Sequence, residues 1–235
     1  MVLELHYWDL RGLGEAIRLQ LEYLQVEYVN KHPEEEERWR KTDMKTSLKN
    51  FTEMRNTFIA EKYHKFELDF PNIPYLVDGG VRVAQSFAIM KYLARKYKKL
   101  GADTEEEMRA VDQAEGFCAD LRVQLIMTWF KEGDLEQSKR EYVEDLPNKL
   151  RPLEEMLGKR KWCSGDKLVY VDFAMCEALD HLEMFAPGSL ECSPRVKQYK
   201  AAFDALPQIS AYRNSGRFKK WPVSGGPAKW GCDLK

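Results

Sequence analysis

The chain has no CxxC pair, no even cysteine set and no zinc-type grouping of cysteine with histidine. Cys118, Cys163, Cys176, Cys192 and Cys232 are odd in number and widely spaced, and none stands in ligand spacing with His6, His32, His64 or His181. This predicts reduced thiols in a cytoplasmic protein rather than a disulfide scaffold or a zinc module. Charge of one dominant sign is also missing, since 37 Lys and Arg against 38 Asp and Glu leave a formal net charge of -1. Without a global basic field, nucleic-acid binding is not expected as the main activity. No apolar run approaches membrane-spanning length, and Met1-Val2-Leu3-Glu4-Leu5-His6-Tyr7 has neither the basic flank nor the apolar stretch of an export signal. Membrane insertion and secretion are therefore not expected. Internal repeats and low-complexity tracts are absent.

What is present suits a soluble globular protein: 235 residues, 44% hydrophobic and 32% charged, enough chain for two compact cores. Leu3, Leu5 and Tyr7 alternate with Glu4 and His6, the period of a half-buried strand. Ala16, Ile17, Leu19, Leu21 and Leu24 follow at helical spacing, and a short strand is predicted at Val26 to Val29. Residues 31 to 65 are charge-rich and irregular, reading as a surface excursion with one or two short helices. Strands are predicted again from Phe70 to Val77 and from Val81 to Ala84, joined by Asp78-Gly79-Gly80 turn chemistry. Ser86 precedes Ala88, Ile89, Tyr92 and Leu93 as a predicted helix N-cap. Beyond Gly101 the pattern is helical at Glu105 to Trp129, Glu141 to Leu157, Tyr170 to Phe185 and Arg195 to Leu206. The expected organisation is an α/β domain over residues 1–97, a linker at 98–104 and an all-helical domain over 105–235.

Four stretches together resemble the mu class of the cytosolic glutathione transferases. They are Tyr7-Trp8-Asp9-Leu10-Arg11-Gly12-Leu13, Leu68-Asp69-Phe70-Pro71-Asn72-Ile73-Pro74-Tyr75-Leu76, Gln85-Ser86 and Tyr170-Val171-Asp172-Phe173. The match runs in register along nearly the whole chain, apart from an enlarged segment from Lys31 to Met54. The resemblance implies a thioredoxin-like α/β N-terminal domain and an all-α C-terminal domain. It further implies conjugation of reduced glutathione to small hydrophobic electrophiles in detoxification, with glutathione as co-substrate and no cofactor or metal.

Alone, Tyr7 reads as a core aromatic. At a strand end before a loop and a helix N-terminus, it can instead donate to a thiolate. Lowering a thiol pKa of about 8.5 by two units takes about 3 kcal/mol, and a hydrogen bond to a charged acceptor supplies about 1.5–3 kcal/mol of it. By resemblance Tyr7 is the catalytic residue. The resemblance makes the Ile73-Pro74 bond cis, so that the Ile73 backbone pairs with the cysteinyl part of glutathione. It sets the γ-glutamyl carboxylate at Gln85 and Ser86, with Asn72 and Trp8 nearby. Arg55, Phe58 and Lys62 share one helix face, ordinarily a solvated one; by resemblance they hold the glycyl carboxylate, with Phe58 in place of a tryptophan and so without its N–H donor.

Asp120 reads as an exposed helix acid and Phe70 as local core. The resemblance makes Asp120 reach the glutathione of a neighbouring subunit and Phe70 insert between that partner's helices, which implies a homodimer. Leu13 and Phe130 are the expected electrophile contacts, Phe130 replacing a tyrosine. Gly14 replaces a hydroxyl residue beneath the Tyr7 ring, and Val169 removes half of a capping box while leaving the Leu168 and Phe173 staple. The competing readings are a non-enzymatic ligand-binding or structural member of this fold, and a glutathione-dependent isomerase or peroxidase using the same thiolate.

Overall fold

The computed structural model describes residues 2–32, 68–225 and 228–232. Strand β1 (Leu3–His6) alternates buried and half-buried residues, as its sequence period requires. Helix α1 (Glu15–Leu24) crosses back over the sheet and leads into β2 (Tyr28–Lys31), which pairs parallel to β1 with Leu3 opposite Tyr28. This strand begins two residues later than the apolar run Val26 to Val29 predicts; its outer position leaves Val29 and Asn30 exposed, so the pattern there carries little information.

Antiparallel to β1 runs β3 (Tyr75–Asp78), and β4 (Val81–Ala84) completes a sheet of order β2-β1-β3-β4. Asp78 pairs with Val81, so Gly79 and Gly80 form a two-residue hairpin turn, and Gly79 takes a φ of 59°. That left-handed value is where glycine is needed. Residues 70–74, expected to begin this strand, are irregular because Pro71 and Pro74 cannot donate to a ladder. Helix α2 (Ser86–Tyr97) then packs Ile89, Met90, Leu93 and Ala94 inward.

The second half is helical: α3 (Glu105–Phe130), α4 (Leu135–Glu144), α5 (Leu146–Leu157), α6 (Tyr170–Phe185), α7 (Pro194–Asp204) and α8 (Pro207–Arg213). Thr104 caps α3 by accepting from the Glu107 N–H at 3.2 Å, while Glu107 Oε2 accepts from the Asp103 N–H at 2.6 Å. The single helix expected over 141–157 is two, divided at Asp145, because Pro147 has no N–H for a continuous ladder. At the start of α6 valine has no side-chain acceptor, but Asp172 Oδ2 accepts from the Val169 N–H at 2.8 Å. Its other oxygen accepts from the Cys163 N–H and the Tyr199 hydroxyl at 2.9 and 2.8 Å, so the buried carboxylate has three donors without the lost cap. Almost all of α6 is buried, and one apolar core runs continuously from β1 and α1 through α6 to α7.

Candidate active site

The site is built on the loop between β1 and α1, which is tied on several sides. Arg18 of α1, held by Glu15 at 2.9 Å, reaches back to the Leu10 carbonyl at 3.0 Å. The Arg11 and Gly12 N–H groups donate to the carbonyls of Pro222 and Val223 at 3.0 and 2.9 Å, fastening the C-terminal tail to the loop. Arg11 itself is buried, with Nε and Nη2 on the two oxygens of Glu177 at 2.9 and 2.7 Å and Nη2 also on Asp180.

These ties fix Tyr7, which is buried at the end of β1. Its hydroxyl oxygen accepts from the Leu13 N–H at 2.8 Å, leaving its own proton available for another acceptor. Burial pushes the phenol pKa up, and the Leu13 N–H, Arg122 and Arg18 only partly oppose this, so at neutral pH Tyr7 is a proton donor and not a tyrosinate. Gly14 lets the ring lie against α1, because a Cβ there would stand 2.5 Å from Tyr7 Cδ1. The hydroxyl residue expected by resemblance has no room in this arrangement.

Tyr7, Leu13 and Phe130 line one cavity of about 240 Å³ beneath the loop, with Ile126, His181 and Val223 among its other walls. Trp8 lines it as well, and packs with Tyr7, Leu10, Leu13 and Ile73. The Ile73-Pro74 bond is cis. The Ile73 N–H donates to Asn72 Oδ1 at 2.9 Å, so a ligand using that N–H must displace the Asn72 side chain.

Ser86 is not the N-cap of α2. Gln85 holds that position and Ser86 is the first helical residue, with no side-chain hydrogen bond capping the helix and no acid in its first turn. Gln85 is exposed and takes φ 73° and ψ 119°, a costly conformation for a residue with a Cβ. The helix thus presents uncapped N–H groups where an anion is favoured. Asp120 lies on the exposed face of α3 and does not line the Tyr7 cavity. Arg55, Phe58 and Lys62 lie outside the described residues.

Sequence reasoning overlooked three contributors. Arg122 of α3 is buried on the cavity wall with Nη2 3.5 Å from the Gly12 carbonyl. Val223, Ser224 and Gly225 of the tail close one side. His181 reads in sequence as one polar residue on a buried helix, with no signal of its place at the cavity.

Family models of the glutathione S-transferase N-terminal and C-terminal domains match residues 3–95 and 119–216. Glutathione S-transferase Mu 2 of Rattus norvegicus is 41% identical over 231 residues, covering 98% of this chain and 99% of the relative. The chain belongs to the glutathione S-transferase family. A glutathione S-transferase of Mesocricetus auratus is 42% identical over 230 residues, covering 98% of this chain and 99% of its own. Among solved structures, the glutathione S-transferase Blo t 8 superposes with a TM-score of 0.78 at 29% identity, covering 97% of this chain and 99% of that one. The Pi-class enzyme of Onchocerca volvulus gives 0.74 at 26% identity, covering 97% and 100%. The mu-class resemblance and the two-part fold expected from sequence agree with these relatives.

Proposed function

We propose that this transferase activates the thiol of glutathione with Tyr7 and adds it to small hydrophobic electrophiles, a cytoplasmic detoxification reaction needing no further cofactor. The observation that carries this reading is the Tyr7 hydroxyl, which accepts from the Leu13 N–H at 2.8 Å and so keeps its own proton for a thiolate beside the cavity. Titrating glutathione into the protein at pH 7 should produce ultraviolet thiolate absorption in proportion to site occupancy. Binding without that absorption would show that the thiol is not activated.

In this reading the γ-glutamyl carboxylate meets the uncapped start of α2 at Gln85 and Ser86. The cysteinyl backbone pairs with Ile73 beside cis Pro74, near Asn72 and Trp8, and Arg55, Phe58 and Lys62 take the glycyl carboxylate. Asp120 serves the glutathione of a partner subunit.

A homodimer is the reading in which Phe70, 75% exposed on this chain, serves as an apolar anchor for a partner. A second cavity of about 520 Å³, between α3 and α5, includes Ala110, Phe117, Leu153 and Met156 and suits an incoming ring. Phe70→Ser should therefore weaken association by about 2 kcal/mol, the scale of a buried aromatic anchor. Sedimentation across a concentration series checks this, and a wild-type protein that is fully active as a monomer would refute it.

Leu13 and Phe130 form the electrophile side. Phe130 offers a wall but no donor, so epoxides, whose ring oxygen gains charge on opening, should be comparatively poor substrates. Phe130→Tyr is expected to raise epoxide kcat by about three- to tenfold, the worth of one imperfectly aligned hydrogen bond, while aryl-halide kcat stays within a few fold. An equal change on both substrates would reduce Phe130 to packing.

A further inference from the structure

Phe130 adds no second phenolic donor to that of Tyr7, but the electrophile side of the cavity is not entirely apolar. His181 of α6 lines it beside Trp129, and the two buried rings meet edge to face with centroids 6.1 Å apart. The enclosed Nε2 of His181 lies 2.8 Å from Glu177 Oε1, too far out of line for a full hydrogen bond. Glu177 is gripped at both oxygens by Arg11 and is therefore a carboxylate. A lone pair on Nε2 would be repelled by that anionic oxygen, so the proton belongs on Nε2 and the lone pair on Nδ1. Among the described residues no hydrogen bond is made to Nδ1, and unlike Nε2 it is not sealed off from the cavity that the ring lines. Polar groups in a buried side chain are nearly always paired, so an unpaired acceptor on the cavity wall points to something that enters it.

The charges facing the imidazole come from three elements: Glu177 of α6, Arg11 of the β1–α1 loop and Arg122 of α3. Burial and the two arginines lower its pKa and outweigh Glu177, which keeps the ring neutral at neutral pH.

We propose that His181 determines specificity in the electrophile cavity, its Nδ1 accepting a hydrogen bond from a hydroxyl carried by the electrophile away from the carbon that sulfur attacks. The inference rests on the cavity being the electrophile site. A hydroxyl fits this acceptor, since it has a proton to donate to Nδ1. An ionised carboxylate does not, having no proton to give and a second carboxylate, Glu177, behind the ring.

The test compares 4-hydroxybenzylideneacetone with 4-methoxybenzylideneacetone, whose ring substituents donate electrons similarly but of which only the first donates a proton. In both, the glutathione sulfur bonds to the β-carbon, the C=C pair moves to the carbonyl as an enolate, and the enolate takes a proton from water. Rates are divided by the uncatalysed addition rate of each ketone. Wild type should prefer the hydroxy compound by about fivefold or more in kcat/KM, chiefly through KM. His181→Phe should abolish the preference by losing rate on the hydroxy compound alone, and His181→Gln, which keeps an acceptor oxygen, should restore part of it. An unchanged preference in His181→Phe, or equal loss on both ketones, overturns the assignment. Ile126→Trp, which fills the cavity from α3, separates the two levels of the argument. It should suppress turnover of both ketones while the thiolate absorption of bound glutathione persists; if neither ketone is affected, the electrophile binds elsewhere and the reading of the cavity itself is wrong.

Discussion

Replacing Arg11 by methionine is expected to lower folding stability by about 3–5 kcal/mol, read as a fall in the urea midpoint, because it strands a buried carboxylate. The methionine chain replaces much of the arginine stem, so packing changes little and the loss is electrostatic. Asp180 keeps Lys200 and Arg213 at 2.9 and 3.2 Å, but Glu177 would be left with His181 alone. Neutralising that carboxylate in Arg11→Met/Glu177→Gln should therefore recover part of the loss. A single variant within about 1 kcal/mol of wild type would mean that solvent reaches the cluster.

The pH dependence follows from the same pair. Burial would raise the Glu177 carboxyl, but Arg11 and then His181 hold it down to about 2 from an ordinary 4.5. A depressed folded pKa contributes stability that is present above about 4.5 and lost as pH falls toward about 2. His181, whose pKa is lowered chiefly by burial, acts in the same direction: stability falls as pH drops below its ordinary 6.5 and the unfolded chain takes up the proton. The gap between wild type and Arg11→Met should consequently narrow as pH is taken from about 4.5 downward. Urea midpoints measured at several pH values test this, and a gap that widens in acid would contradict the pairing.

How far sequence leads depends on the range of the interaction involved. The short-period patterns of β1, β4, α3 and α6 and the two-glycine hairpin are local, and the structure reproduces them within a residue. The β2 register and the division at Asp145 were not legible, because an exposed edge carries weak periodicity and the flanking apolar spacing continues across Pro147. Helix α8 was overlooked although Pro207 stands at its start, a permitted position that also reads as punctuation. At the site, local order signalled Tyr7 and the Ile73-Pro74 turn. Arg11 meets Glu177 across 166 positions, and its partner and His181 stand on a helix whose burial hides them among apolar residues. No spacing rule connects such distant residues.

Tyr7→Phe is expected to cut turnover with an aryl halide at pH 7 by about 10- to 100-fold, the kinetic equivalent of one hydrogen bond to a charged acceptor. The substitution removes only the phenolic oxygen, and the ring keeps its seat over Gly14 beside Ile73 and Leu10. The structural penalty is confined to the Leu13 N–H, which loses its acceptor at 2.8 Å, so glutathione should still bind. What disappears is the donor that lowers the thiol pKa. With burial raising the phenol pKa, Tyr7 does not supply its charge as a base at neutral pH; it offers a proton that the thiolate draws on. In Tyr7→Phe the bound thiol should therefore ionise near its unassisted value of about 8.5 or above, moving the rising limb of the rate profile to alkaline pH. Raising the pH should then recover much of the lost rate, whereas a variant whose glutathione is mispositioned would stay slow throughout. The decisive measurement is the thiolate absorption of bound glutathione as a function of pH, taken with single-turnover rates so that product release does not mask the chemical step. If Tyr7→Phe ionises the thiol at the wild-type pH and turns over at the wild-type rate, the activating donor is another group, and Arg122 on the same cavity wall becomes the residue to replace next.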